Sequence, residues 1–297
     1  MRICAAIILL CSLIQSAGAA WTWTPQEQAR VKQLNALAKK DGAFFQIDTG
    51  TWNVRTDVSQ EFAAELTCFY ELFHEQFMSI VQIKSKPQVA SKLNVVLYAK
   101  EADYRKTFDD GTRGYFRYKW DGDGTFTEFT LFSFVQYPNE REFSKFYHPI
   151  LLHEGTHMLL QKYAGKNKIP VFINEGLANY FQYWNMRRTL AENLARRKND
   201  SFFHKLLLER LRSDKAFTPN LASMLKLDYN QWNPDKMGPE AKLNYALGES
   251  FIETLATEPQ MRGVLPTILE KALAGKEVFT QTETQQANAV WITSLRR

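Results

Sequence analysis

One short run limits this chain more than any other: Ile150-Leu151-Leu152-His153-Glu154-Gly155-Thr156-His157-Met158-Leu159-Leu160. Pro149 can open a helix here and Gly165 can close it. Successive helix residues are about 100° apart, so His153 and His157 fall about 40° apart on one face, one turn from each other. Glu154 stands at the edge of that face. The other directions are apolar, and a helix that is apolar nearly all round is buried. Two imidazoles and a carboxylate inside it need partners, because an unsatisfied buried polar group costs roughly 1–3 kcal/mol. Core histidines bonded to nearby carbonyls would meet that need one by one. A single metal ion would meet it for both rings together.

A catalytic zinc site takes three protein ligands and keeps one position for water. The third ligand should be a carboxylate or histidine from a second element. Asn174-Glu175-Gly176-Leu177-Ala178-Asn179 supplies one, with Glu175 lying 18 residues beyond His157. Gly165, a lysine-rich turn and Pro170 let the chain reverse between them, and Pro170 begins the next helix. Gly176 and Ala178 are small and permit close approach to a neighbour. The alternative for Glu175 is a surface carboxylate. Asn179, one turn after Glu175 on the same face, could hydrogen-bond the outer nitrogen of a ligand histidine.

Together, His153–His157 and Asn174-Glu175-Gly176-Leu177-Ala178 resemble the glutamate-zincin metallopeptidases, the gluzincins, and most of all their small secreted peptidase-like members. The close match covers about residues 147–185, with a weaker likeness upstream through the strands and downstream to the Tyr245 region. The resemblance implies one Zn2+ per chain, bound by His153, His157 and Glu175. It implies Glu154 as general base and a peptide or protein as substrate. Many relatives carry Asp or Glu where this chain has Asn179, a neutral amide that orients a histidine but stabilises its charge less. The family also often uses a downstream Tyr or His to hold the developing oxyanion, and Tyr245 is the residue to fill that role. In Leu243–Phe251 the apolar helical face is Leu243, Leu247 and Phe251, so Tyr245 points away from it, alongside Glu249, toward either a cleft or water. In the family an edge strand pairs with the substrate backbone, and Thr125–Phe134 is the natural candidate.

The rest of the chain predicts an α+β architecture. Thr24-Pro25-Gln26-Glu27 reads as a helix start running to about Lys40, ended by Asp41-Gly42. Phe44–Ile47 and Trp52–Thr56 alternate around Thr49-Gly50 as a hairpin. Asp57–Gln60 can cap a second helix whose apolar stripe is Phe62, Leu66, Phe69, Phe73, Phe77 and Ile80. Leu93–Ala99 is a short strand, and Tyr115–Trp120 and Thr125–Phe134 form a hairpin across Asp121-Gly122-Asp123-Gly124. That turn also hints at calcium, though the remaining loop ligands of an EF-hand are missing. From residue 149 the chain turns mainly helical, including Pro239–Thr257 and a last stretch to Ala274. The expected fold is zincin-like: a small twisted, mostly antiparallel or mixed sheet with the active-site helix, then a helical C-terminal subdomain carrying Glu175 and Tyr245. The expected division is a signal peptide over 1–19, an N-terminal helix and hairpin over 20–58, an upper subdomain over 59–165 and a helical lower subdomain over 166–297.

Composition narrows the remaining choices. The net charge of +5 over 297 residues is too small to argue nucleic-acid binding. Met1-Arg2, an apolar run from Ile3 to Ile14 and Ala17-Gly18-Ala19 have the layout of a secretory signal cut after Ala19, so a secreted or periplasmic protein is expected. No later stretch is apolar enough for a membrane helix, which needs about 20 residues. Cys4 and Cys11 leave with the signal, and Cys68 reads as a small buried hydrophobe. Between Arg187 and Lys215 nine basic residues face four acidic ones, either as solvated faces of amphipathic helices or as a patch for anionic partners. His74, His148 and His204 lack ligand spacing. Two other classes of function stay open: a catalytically inert zinc-binding protein, and a module that binds anionic surfaces.

Overall fold

The computed structural model describes residues 22–108, 112–121, 126–136, 141–143, 149–234, 237–261 and 263–296. Within them lie twelve α-helices and a six-stranded mixed sheet, so the protein is α+β. The signal layout, the Asp-Gly-Asp-Gly turn after Asp121 and His148 fall outside the described residues. No helix among the described residues is long and apolar enough to cross a membrane.

The contacts divide the chain into two units, one running to Phe77 and over Val89–Met158, the other comprising Met78–Gln88 and Leu159–Arg297. The first holds the sheet. Helix α1 (Pro25–Leu37) begins with a full capping box between Thr24 and Glu27. It is shorter than predicted, because Lys39–Asp41 leaves the helix as strand β1 and pairs antiparallel with β2 (Phe44–Asp48) around Gly42, whose φ is +60°. Strand β3 (Trp52–Thr56) closes the expected hairpin with β2 over Gly50. Helix α2 (Gln60–Val81) is capped by Ser59, whose Oγ accepts from the Phe62 amide at 3.0 Å. Its stripe from Phe62 to Phe77 is buried, with Trp52 packed on Tyr70 at 4.7 Å between centroids. Cys68 is buried with Leu34, Ile47, Ala63 and Ala64, the role its sequence setting suggested.

Strand β4 (Leu93–Tyr98) runs parallel to β3, and α2 is the crossover between them. After the short helix α3 (Glu101–Arg105) come β5 (Gly114–Trp120) and β6 (Phe126–Phe134), which form the expected antiparallel hairpin. The strand order is β1-β2-β3-β4-β6-β5. Here one expectation fails. Strand β6 is interior, paired parallel with β4 on one side and antiparallel with β5 on the other. Both its ladders are used, so it cannot take an added strand. Its near-continuous burial from Phe129 to Phe134 is the mark of an inner strand. The edge on this side is β5.

The second unit is helical. Helix α4 (Pro149–Ala164) begins in the first unit, ends in the second, and is closed by Gly165 at φ +57°. Helix α5 (Val171–Gln182) follows Pro170. Helices α6 (Leu190–Asp200) and α7 (Phe202–Ser213) account for the basic segment, then come the single turns α8 (Leu221–Met224) and α9 (Tyr229–Trp232). Helix α10 (Pro239–Thr257) has the predicted bounds, followed by α11 (Val264–Leu273). A final helix, α12 (Gln281–Leu295), lies beyond the last stretch expected. Its polar sequence hides it from an apolar-stripe reading, yet Thr280 and Glu283 form a capping box. It is anchored by Trp291, fully buried, whose Nε1 donates to Ser250 Oγ at 3.1 Å.

Candidate metal centre

Every residue of α4 from Pro149 to Leu160 is buried, as its apolar sequence demanded. Two glycines make the surroundings of Glu154 possible. A Cβ on Gly155 would lie 3.2 Å from the Phe73 ring and 3.3 Å from the Tyr70 ring, so glycine lets α2 press against α4 at the motif. A Cβ on Gly114, the first residue of β5, would lie 2.6 Å from Ile150 Cγ1 and 3.3 Å from Glu154 Cγ. The edge strand therefore begins directly against the glutamate. Neither Gly114 nor Tyr70 stood out in the sequence, because both reach the motif only through folding. Tyr70 is fully buried and donates to the Leu151 carbonyl at 3.5 Å; burial first, then the Glu154 charge, pushes its hydroxyl well above its ordinary pKa.

His153 and His157 meet edge to face, with Nε2 atoms 3.1 Å apart. Two imidazole nitrogens bound tetrahedrally to one zinc, each at 2.0–2.1 Å, sit about 3.3 Å apart, so the spacing suits a shared ion. Glu175 completes the set: one ligand atom from each of His153, His157 and Glu175 lies within 4.8 Å of the others. All three side chains are buried, and Glu154 is 4% exposed. Among the described residues no other group of three or more His, Cys, Asp or Glu converges in this way. Two neutral nitrogen donors and one carboxylate oxygen are a donor set that zinc accepts. Glu175 is therefore not a surface carboxylate. His74 instead packs edge-on against Trp52, and His204 is half-buried at the start of α7.

Asn179 does not do what its position suggested. It is 1% exposed, its Nδ2 donates to the Tyr245 carbonyl at 3.4 Å, and its Oδ1 has no hydrogen-bond partner among the described residues. The amide reaches α10 rather than a histidine ring, because α10 packs against this side of α5. Tyr245 does not face water. It is fully buried, stacked on Phe203 at 5.6 Å and set edge-on to Trp232. Neighbouring helices cover the side of α10 that its own apolar stripe left open.

A second buried polar cluster has no local signature in the sequence, since its members come from different helices. Arg197 of α6 is 3% exposed, forms an ion pair with Glu253, and lies 3.6 Å from Glu249, both on α10. Its guanidinium stands 4.8 Å from the Tyr180 ring centroid. Ser201 Oγ donates to Glu249 at 2.9 Å. Burial is the largest influence on Glu249 and drives its pKa up to about 7 against the pull of Arg197 and Ser201. Elsewhere in the basic segment Arg196 pairs with Asp200 and Arg210 with Asp214, so part of its excess charge is neutralised locally. No protein-family model and no curated protein sequence matches the chain.

Proposed function

We propose that this protein is an exported zinc metallopeptidase of gluzincin type, with a zincin-like sheet and motif helix. The observation that carries the reading is the convergence of His153, His157 and Glu175 within 4.8 Å, in buried positions, with Glu154 between the two histidines in sequence. In this reading His153, His157 and Glu175 hold one zinc ion. The ion would supply Lewis acidity, lowering the pKa of a water to around 7 and polarising a carbonyl. Glu154 takes the proton of the attacking water and hands it to the leaving nitrogen. The outer edge of β5 supports an extended peptide as substrate, since that strand starts against Glu154 and has no strand partner on its outer side among the described residues. Tyr245 as oxyanion donor rests on the family resemblance alone.

A second reading, a metal-binding protein without turnover, draws support from the burial of all four site side chains. One experiment separates them. The mature protein is assayed for bound metal and incubated with a mixed peptide library, with and without chelator, beside Glu154→Gln. The peptidase reading expects about one zinc per chain, cleavage abolished by chelator, and a zinc-loaded but inactive Glu154→Gln. Zinc without cleavage selects the inert reading, and a protein that binds no zinc ends both.

A further inference from the structure

Helix α5 crosses α10 antiparallel, and the crossing is closest beside the third ligand. A Cβ on Gly176 would stand 2.7 Å from the Gly248 carbonyl oxygen, 2.9 Å from its carbon and 3.0 Å from Ile252 Cγ1. The first two are backbone atoms and cannot rotate aside. In the other direction, a Cβ on Gly248 would stand 3.0 Å from the tip of the Trp232 ring and 3.3 Å from the Gly176 Cα. One turn along, Asn179 donates to the Tyr245 carbonyl of α10. At the other end Phe172 meets Phe251 at 5.8 Å between centroids. Three contacts in antiparallel register leave α5 no freedom to slide or turn on α10. Glu175 lies in the middle of that register, about 40° around the helix from Asn179 and about 100° from Gly176.

We propose that Gly248 is a positioning residue for the metal centre: its bare backbone, seated against Gly176, sets the depth and rotation of the helical turn that carries Glu175. The inference rests on the metal-centre reading above and names a residue that supplies no ligand atom to it. A ligand set tolerates only small displacements, and groups that orient ligands typically change metal affinity by about 10–100-fold. Helix α10 is itself tied to α6 by the Arg197–Glu253 ion pair and to Ser201 by Glu249, the residue after Gly248. The support behind the ligand helix is therefore fixed in turn.

The test measures zinc dissociation constants by competition with a chelating dye, together with the visible spectrum of the Co2+-loaded protein and the melting temperature. The variants are Gly248→Ala, Gly176→Ala, Trp232→Phe/Gly248→Ala and Leu269→Ala. Leu269 is fully buried in α11 and serves as a destabilised control. We expect zinc to bind Gly248→Ala about tenfold more weakly than the parent and Gly176→Ala more weakly still. The Co2+ spectrum should change in both and stay parental in Leu269→Ala. If Gly176→Ala does not fold, Gly248→Ala decides, since its new methyl meets neighbours that need give only a few tenths of an ångström. Trp232→Phe shortens the ring that Gly248→Ala would touch. Persistent weak binding in that double variant supports transmission through Gly176, whereas recovery to the parental constant overturns it. Equal weakening in Leu269→Ala also overturns it, and so does parental affinity in both glycine variants, which would leave the metal centre itself intact. A parent that binds no zinc ends the metal-centre reading and this one together.

Discussion

His153, Glu154, His157 and Glu175 bring two imidazoles and two carboxylates into the interior, whereas Arg197, Glu249 and Ser201 bring a guanidinium, a carboxylate and a hydroxyl, with the half-buried Glu253 carboxylate beside them. The second cluster contains its own countercharge. Arg197 neutralises Glu253, and Glu249 escapes the cost of a buried charge by holding its proton up to about pH 7. The first cluster offers three donor atoms, one each from His153, His157 and Glu175, within 4.8 Å of one another. Burying charge demands compensation in both places. In one cluster Arg197 supplies it, and the other is arranged so that a divalent ion could.

Exchanging the chemistry of the first cluster should produce the largest effect. His157→Ala is expected to weaken zinc binding by at least about a hundredfold, and Glu154→Gln to keep zinc while turnover drops at least about a hundredfold. Dye competition and peptide cleavage measure the two. A Glu154→Gln protein as active as its parent would remove the assigned base. Arg197→Ala should act in the opposite manner. It leaves the Glu253 carboxylate without its cation, costs about 3–5 kcal/mol in denaturant unfolding, and leaves the zinc constant of the folded protein within about threefold of the parent. Loss of zinc on that scale in Arg197→Ala would mean that the clusters are not independent.

Acidity gives a smaller difference. In the folded chain Glu249 binds its proton up to about pH 7, while in the unfolded chain it releases it near the ordinary value of 4.5. Between those limits the folded state holds more protons, so stability falls as pH rises from about 4.5 to about 7 and levels off above. The whole drop is at most about 3–4 kcal/mol. Glu249→Gln should flatten it, as followed by unfolding at several pH values. An unchanged slope in that variant would place the titrating group elsewhere. Zinc itself gives the last comparison. At a free concentration a hundred times its dissociation constant it should stabilise the parent by about 2.7 kcal/mol. Glu249→Gln should retain that gain and His153→Ala should lose it, as read from melting temperatures with and without zinc.

What was legible beforehand depended on range. The helix starts at Thr24-Pro25 and Pro149, the hairpin at Gly50 and the bounds of α10 are written in residues a few positions apart. The spacing of His153 and His157 follows from helical geometry over a single turn, and Glu175 lies on the next helix. Lys39–Asp41 misled because a three-residue exposed strand has no pattern of its own and exists only through its pairing with β2. Helix α12 was overlooked because its polar residues outnumber the few that anchor it, Trp291 above all.

By itself the amino-acid order determined the local chemistry: which turns can form, which helix must be buried, and which side chains share a helical face. Backbone stereochemistry and the 3.6-residue period act within a few residues and need no knowledge of distant partners. Only the tertiary structure decided that β6 is flanked on both sides, that Glu249 pairs with α6 and α7 rather than water, and that Asn179 turns to the Tyr245 carbonyl. Each of these depends on what packs opposite. A hydrogen-bonding group buried during folding takes whichever partner the neighbouring element brings within hydrogen-bonding reach, and residues 48 or 66 positions away in the chain supplied it here.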